Sequence, residues 1–175
     1  MKSLKNTLNG KLFYLIILVI VFIAGTFYPN FLKVKQIDCI NFINLGLHKY
    51  ERIPTELIIA QAVLESNYGK SRFAKEGNNL FGIRTWNLQE EHIKPFNTND
   101  QTFGVKIFKS KCDCVKYYVK ILNNSSAFED FRKMRKKMLD NNYINVLSLT
   151  QYISKFATDK DYVKKVQRTI KELRK

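Results

Sequence analysis

The chain has 175 residues, 45% of them hydrophobic and 26% charged, with only 7 Gly and 3 Pro. That composition fits one modest folded domain and excludes collagen-like and broadly disordered classes. Basic residues number 30 against 15 acidic, a formal charge of +15, so the expected partners are anionic: nucleic acid, membrane headgroups or an acidic wall polymer.

From the N-terminus, residues 1–11 form a short basic tail carrying Lys2, Lys5 and Lys11, and residues 12–32 hold no charge at all. At 1.5 Å per residue a helix over those positions would reach about 31 Å, close to the roughly 30 Å hydrocarbon core of a bilayer. The run is longer than the apolar core of a usual secretory signal, so a retained transmembrane anchor is expected over a cleaved signal. Either reading places the following domain, residues 36–175, outside the cytoplasm. Without the five lysines of the first 35 residues that domain keeps 25 basic and 15 acidic residues. The expected location is therefore the inner membrane, single-pass, with a basic extracytoplasmic domain and no nucleic-acid partner.

Ile37, Ile40, Ile43 and Leu47 recur at helical spacing and predict an amphipathic helix over 36–50. A helix should then run from Pro54 to about Asn67, with Glu56 at its positive end and Gly69 as its stop. Ser71 to Glu76 reads as a short helix closed by Gly77, and Asn78 to Arg84 as a packed turn. His92–Phe96 and Thr102–Phe108 flank the polar residues Asn97 to Asp100, which predicts a two-stranded hairpin. Capping-box spacing at Ser110/Asp113 and Ser126/Glu129 opens helices over 111–123 and 127–140. Helices over Val146–Phe156 and from a Thr158 cap to the C-terminus complete the chain. Cys39, Cys112 and Cys114 suggest neither a disulfide scaffold nor a zinc site, and His48 and His92 stand alone.

One residue disagrees with its surroundings. On the Pro54 helix, Ile58, Ala62 and Glu65 share a face, so a carboxylate falls among positions assigned to the core. Burial raises the pKa of such a group, and the negative end of the helix acts in the same sense; both suit a general acid. Gln61, one turn back, is placed to orient it. Tyr68, Phe81 and Trp86 offer aromatic faces for sugar rings, and Asn78 and Asn79 offer amides for hydroxyl and acetamido groups.

The run Ala60-Gln61-Ala62-Val63-Leu64-Glu65-Ser66-Asn67-Tyr68-Gly69-Lys70-Ser71, followed by Asn78-Asn79-Leu80-Phe81-Gly82-Ile83, resembles bacterial cell-wall glucosaminidases of glycoside hydrolase family seventy-three, in particular the Bax-type branch. The likeness continues through Phe108–Tyr118 and Ala127–Arg132 to Phe156-Ala157-Thr158-Asp159 and Tyr162-Val163. It implies a mainly α, lysozyme-like α+β fold with a helical lobe and a small β lobe. It also implies cleavage of the β-1,4 bond after N-acetylglucosamine in peptidoglycan, with Glu65 as the acid and no cofactor or metal. The sequence departs from the family pattern at Phe156, where the family carries Tyr; Tyr152 or Tyr162 is placed to supply the missing hydroxyl.

For the second carboxylate, Glu90 and Glu91 precede the hairpin and are the leading candidates, with Asp100 and Asp159 behind them; substrate-assisted catalysis would need none. Phe156, Asp159 and Tyr162 join Gln61, Tyr68, Asn79, Phe81 and Trp86 as expected substrate contacts. Arg132 to Lys137 and Lys164 to Arg174 read as solvated basic faces turned toward membrane or wall. The expected protein is a monomeric peptidoglycan glucosaminidase; its rivals are a lytic transglycosylase or lysozyme-type muramidase and a catalytically impaired wall-binding protein.

Overall fold

A computed structural model of the chain describes residues 38–95 and 102–175. The expected tail 1–11, the expected span 12–32, the hairpin tip and Asp100 lie outside the described residues, among which no helix is long and apolar enough to cross a membrane. The domain is mainly helical with one small sheet. Among the described residues the first helix, α1, runs over 38–45 and gives way to turns, so it ends short of the expected residue 50. It is held down by Asn44, whose amide donates to Ile53 O at 2.9 Å and accepts from Ile53 N at 3.2 Å.

Helix α2 (Thr55–Ser66) is the central element. Leu57, Ile58, Ala60 and Gln61 are all fully buried, so α2 is enclosed on more than one face. Its first turn carries Glu56, which receives two bonds from Arg174 at 2.7 and 2.6 Å and so ties the start of α2 to the end of the chain. The helix stops two residues before Gly69, at Asn67, with φ of 50°, and Tyr68 and Gly69 follow at 57° and 75°. A short polar side chain tolerates this left-handed region; a tyrosine there is strained by about 1–2 kcal/mol. Ser66 holds the turn: its hydroxyl donates to Ala62 O at 2.5 Å and accepts from Gly69 N at 2.7 Å.

After α3 (Arg72–Glu76), capped by Ser71, comes a three-stranded antiparallel sheet. Its strands are β1 (Arg84–Thr85), β2 (His92–Ile93) and β3 (Gly104–Lys106), in the order β1-β3-β2. The expected hairpin is the β2/β3 pair, with His92 opposite Lys106. The third strand comes from the end of the segment expected to be only a packed turn, with Arg84 opposite Val105. Strands of two residues are too short to show an alternating pattern. Gly104 is required in β3, because a Cβ there would stand 2.3 Å from the His92 ring.

Helix α4 (Lys111–Asn124) opens with the expected box: Ser110 Oγ accepts from Asp113 N at 3.1 Å and donates to its carboxylate at 2.7 Å. The second box is displaced. Ser125, not Ser126, caps a 3-10 turn over Ser126–Phe128, and α5 (Glu129–Asp140) begins after it. α6 (Val146–Leu149) passes into a 3-10 helix over Thr150–Phe156 instead of continuing as one α-helix. The last helix, α7 (Tyr162–Leu173), starts beyond Thr158, with Asp161 at its N-cap.

Two expectations are overturned by long-range packing. Arg135 is not part of a solvated face: it is 2% exposed and donates to Asn123 Oδ1 at 2.8 Å and to Glu51 O at 3.3 Å. Arg132 donates to Leu122 O and Ser125 O, satisfying carbonyls at the end of α4. The cysteines likewise do form a bridge. Cys39 in α1 is bonded to Cys112 in α4 across 73 residues, while Cys114 is free and buried. Sequence proximity compares only Cys112 with Cys114, whereas folding brings α1 onto the start of α4.

A crosslink closing a loop of that length contributes up to about 4 kcal/mol in the chain-entropy account. Cys112→Ser is therefore expected to lower the unfolding midpoint by several degrees in calorimetry, and reductant should reproduce the loss in the unaltered protein.

Candidate active site

Glu65 lies in the last turn of α2, partly buried, where the buried face of the helix meets the surface. Burial raises its pKa, and the Tyr162 phenol of α7 offsets part of the rise by favouring the charged form. Behind it runs a buried polar chain. Tyr118 Oη donates to Gln61 Oε1, and Gln61 Nε2 donates to Tyr162 Oη at 2.7 Å. Gln61 and Tyr118 are fully enclosed and Tyr162 is 3% exposed. Both phenols are pushed toward their neutral forms, first by burial and then by the charge of Glu65. Gln61 thus bears on the carboxyl through Tyr162.

An aromatic column braces this chain. Phe81 stacks on Tyr118 at 4.0 Å, Tyr118 meets Phe156 edge-on at 5.6 Å, and Phe156 lies parallel to Tyr162 at 6.1 Å. Phe156 therefore packs between the two phenols and has no hydroxyl to offer. The aromatic residues expected to form one wall divide into two groups. Phe81 is 3% exposed and belongs to the core, whereas Tyr68 and Trp86 are 68% and 69% exposed and available to a ligand.

Asn79 has a structural occupation. It is buried; its amide nitrogen donates to Ile83 O and Lys106 O at 2.9 and 2.8 Å, and its oxygen accepts from Ile83 N and Phe81 N. Those bonds pin the loop before β1 to β3. Asn78, at φ of 52°, donates to Phe108 O in the same way.

Glu90 stands on the loop between β1 and β2. Lys106 Nζ is 2.5 Å from its carboxylate, and the Lys106 hydrogen bond and charge, with help from Thr85 and Asn87, hold its pKa down. Glu91, beside it, is exposed. Asp159 is drawn away into a 2.5 Å ion pair with Lys165 and an N–H bond from Asp161, which lower its pKa and fix the entry to α7. The structure thus joins Glu65, Gln61, Tyr162 and, through packing, Phe156 and Phe81. It leaves Asp159 serving the fold. Sequence reasoning missed Tyr118 and Lys106, for which there was no local signal: Tyr118 lies 57 residues from Gln61 and Lys106 lies 16 from Glu90.

Among the described residues no group of His, Cys, Asp and Glu is arranged to hold a metal ion. What these residues offer is acid–base chemistry: a carboxyl at Glu65 whose pKa burial raises and, on the loop between β1 and β2, a carboxyl at Glu90 whose pKa Lys106 lowers. Carboxyls whose environments move their pKa values in opposite directions suit the acid and base roles of glycoside cleavage, and a mainly helical domain with a small sheet is compatible with a glycoside hydrolase.

The comparisons make that class specific. Residues 45–175 match the glucosaminidase family, described as mannosyl-glycoprotein endo-beta-N-acetylglucosaminidase, and the chain belongs to it. Protein bax of Escherichia coli (strain K12) is 32% identical over 95 residues, covering 54% of this chain and 33% of its own length. The exo-glucosaminidase LytG of Bacillus subtilis (strain 168) is 28% identical over 136 residues, covering 71% of this chain and 45% of its own. The chain thus spans less than half the length of either. The catalytic domain of the autolysin Auto from Listeria monocytogenes shares the fold, with a TM-score of 0.58 at 22% identity over 83% of this chain and 81% of that one.

The raised pKa of Glu65 has a consequence for stability. The folded protein holds this proton more tightly than the unfolded chain does, so the linked stability is full at low pH and is lost as pH rises through the folded pKa. Glu65→Gln, which cannot ionise, is expected to melt higher than the unaltered protein at about pH 7, with the difference closing toward about pH 4 in thermal denaturation.

Proposed function

We propose that this protein is a peptidoglycan glucosaminidase that cleaves the β-1,4 bond after N-acetylglucosamine. The observation that carries the reading is Glu65, a half-buried carboxyl whose pKa burial raises, at the exposed end of an otherwise enclosed helix and one turn beyond the buried Gln61–Tyr162 hydrogen bond. Glu65 donates its proton to the glycosidic oxygen, the bond from that oxygen to C1 breaks, and water supplies the hydroxyl at C1. Glu90, held ionised by Lys106, serves as the second carboxylate from the β lobe. Tyr68 and Trp86 are the exposed aromatic faces for the sugar rings.

The reading includes an extracytoplasmic domain tethered to the inner membrane. The uncharged run over 12–32 supports it, as does the Cys39–Cys112 bridge, since such bonds persist in oxidising compartments. The second reading, a wall-binding protein with impaired catalysis, is favoured by the ion pair that occupies Glu90 and by the phenyl ring at Phe156.

Incubation with purified sacculi separates these. Hydrolysis is expected to release muropeptides ending in reducing N-acetylglucosamine by mass spectrometry; anhydro-muramyl ends would mean transglycosylation, and binding without release would mean the impaired protein. Glu65→Gln should lower turnover by about a hundredfold or more, and full activity in that variant refutes the assignment. Glu90→Gln should also lose turnover, and the anomeric configuration of the sugar first released by the unaltered protein, read by NMR, reports whether Glu90 acts as nucleophile (retention) or base (inversion).

A further inference from the structure

The buried chain behind Glu65 has a direction. Gln61 offers its carbonyl oxygen to the Tyr118 hydroxyl and its amide to Tyr162 Oη. Tyr162 Oη is thus already an acceptor from Gln61, which leaves its single proton to turn toward Glu65, one turn beyond Gln61 on the same face of α2. A phenol has one proton to give. Were the Gln61 amide turned over, Tyr162 would give that proton to Gln61 and present only lone pairs to the carboxyl. The orientation of one enclosed amide therefore decides whether Tyr162 is a donor to Glu65.

We propose that Tyr162 is a positioning residue for Glu65, and that Tyr118 and Gln61 set its polarity: the phenol engages one carboxyl oxygen, so the proton of the acid stands on the other, the one left free for the glycosidic oxygen. The assignment rests on the proposed role of Glu65 as acid. Phe156, at the position where the resembling family carries tyrosine, has only a ring to contribute, parallel to Tyr162 at 6.1 Å. It fixes the plane of the Tyr162 ring and leaves the hydrogen bonding to Tyr162 itself. The titratable groups bearing on Glu65 from the elements packed around it are Tyr162 of α7 and Tyr118 of α4, both neutral. The acid is therefore tuned by hydrogen bonding and burial, with no ionised side chain of those elements setting its charge.

The test is the pH profile of glycan cleavage by the full chain, on soluble glycan fragments, for Tyr162→Phe and for 3-fluorotyrosine placed at position 162. Loss of the donor should lower kcat by about tenfold to a hundredfold through misplacement of the acid, with KM little changed. It should also move the alkaline limb of the profile upward, because the ionised form of Glu65 loses a bond. The fluorinated phenol, a stronger donor of nearly the same shape, should move that limb downward and keeps the question answerable if Tyr162→Phe does not fold. Tyr118→Phe should shift the limb in the same direction as Tyr162→Phe, by less. An unmoved limb with fluorotyrosine, or a folded Tyr162→Phe with unchanged kcat and limb, overturns the proposal. Glu65→Gln in parallel keeps the two readings distinguishable: an active Glu65→Gln sinks the acid assignment, whereas an inactive one beside unaffected Tyr162 variants sinks only the positioning role.

Discussion

The site depends on a hydrogen-bonded line of polar groups driven through the middle of an apolar core. Gln61 is fully enclosed on α2, between helices that supply Tyr118 and Tyr162. An enclosed amide without partners would cost several kcal/mol, and removing one partner leaves the other group unsatisfied. The same bonds that make Gln61 tolerable thus lock α4 and α7 against α2 at one register. Glu65 sits one turn further along α2, so whatever fixes that register also fixes the acid.

The surrounding structure serves this arrangement from several directions. Arg174 clamps the far end of α7 to the start of α2 through Glu56, so α7 is held to α2 at both ends. Phe81, Tyr118, Phe156 and Tyr162 form a continuous column that keeps the two phenols from rotating out of line. Beyond Glu65 the chain turns sharply through Asn67, Tyr68 and Gly69, all at positive φ. That strained turn leaves Tyr68 exposed three residues from a half-buried acid. Strain held in place by hydrogen bonds is common beside functional groups, because only a well-supported site can keep it.

The two carboxyls illustrate how one residue type acquires opposite chemistry. Glu65 has apolar surroundings and a neutral phenol, and burial dominates. Glu90 has water, Lys106 and Thr85, and the ionised form dominates. Lys106 comes from β3, which Asn79 pins to the loop before β1, so an asparagine with no group free for sugar still places the β lobe. Residues expected to touch substrate and residues that build the support for those contacts are hard to tell apart in sequence, since both are polar or aromatic and close to the acid.

Local order was legible in the chain because it has short-range causes. The Pro54 and Ser110 helix starts, the short helix before Gly77 and the misplaced carboxylate at Glu65 all follow from spacing within one or two turns. The β2/β3 pairing was also legible, from β-rich runs flanking a polar segment. What sequence could not express were partners separated by many residues: the Cys39–Cys112 bridge, the burial of Arg135 within a basic run, the strand Arg84–Thr85, and the line from Tyr118 through Gln61 to Tyr162. The amino-acid order determines which side chains need a partner. Only the tertiary packing decides which partner meets that need, because chain separation says nothing about distance once helices fold back on one another.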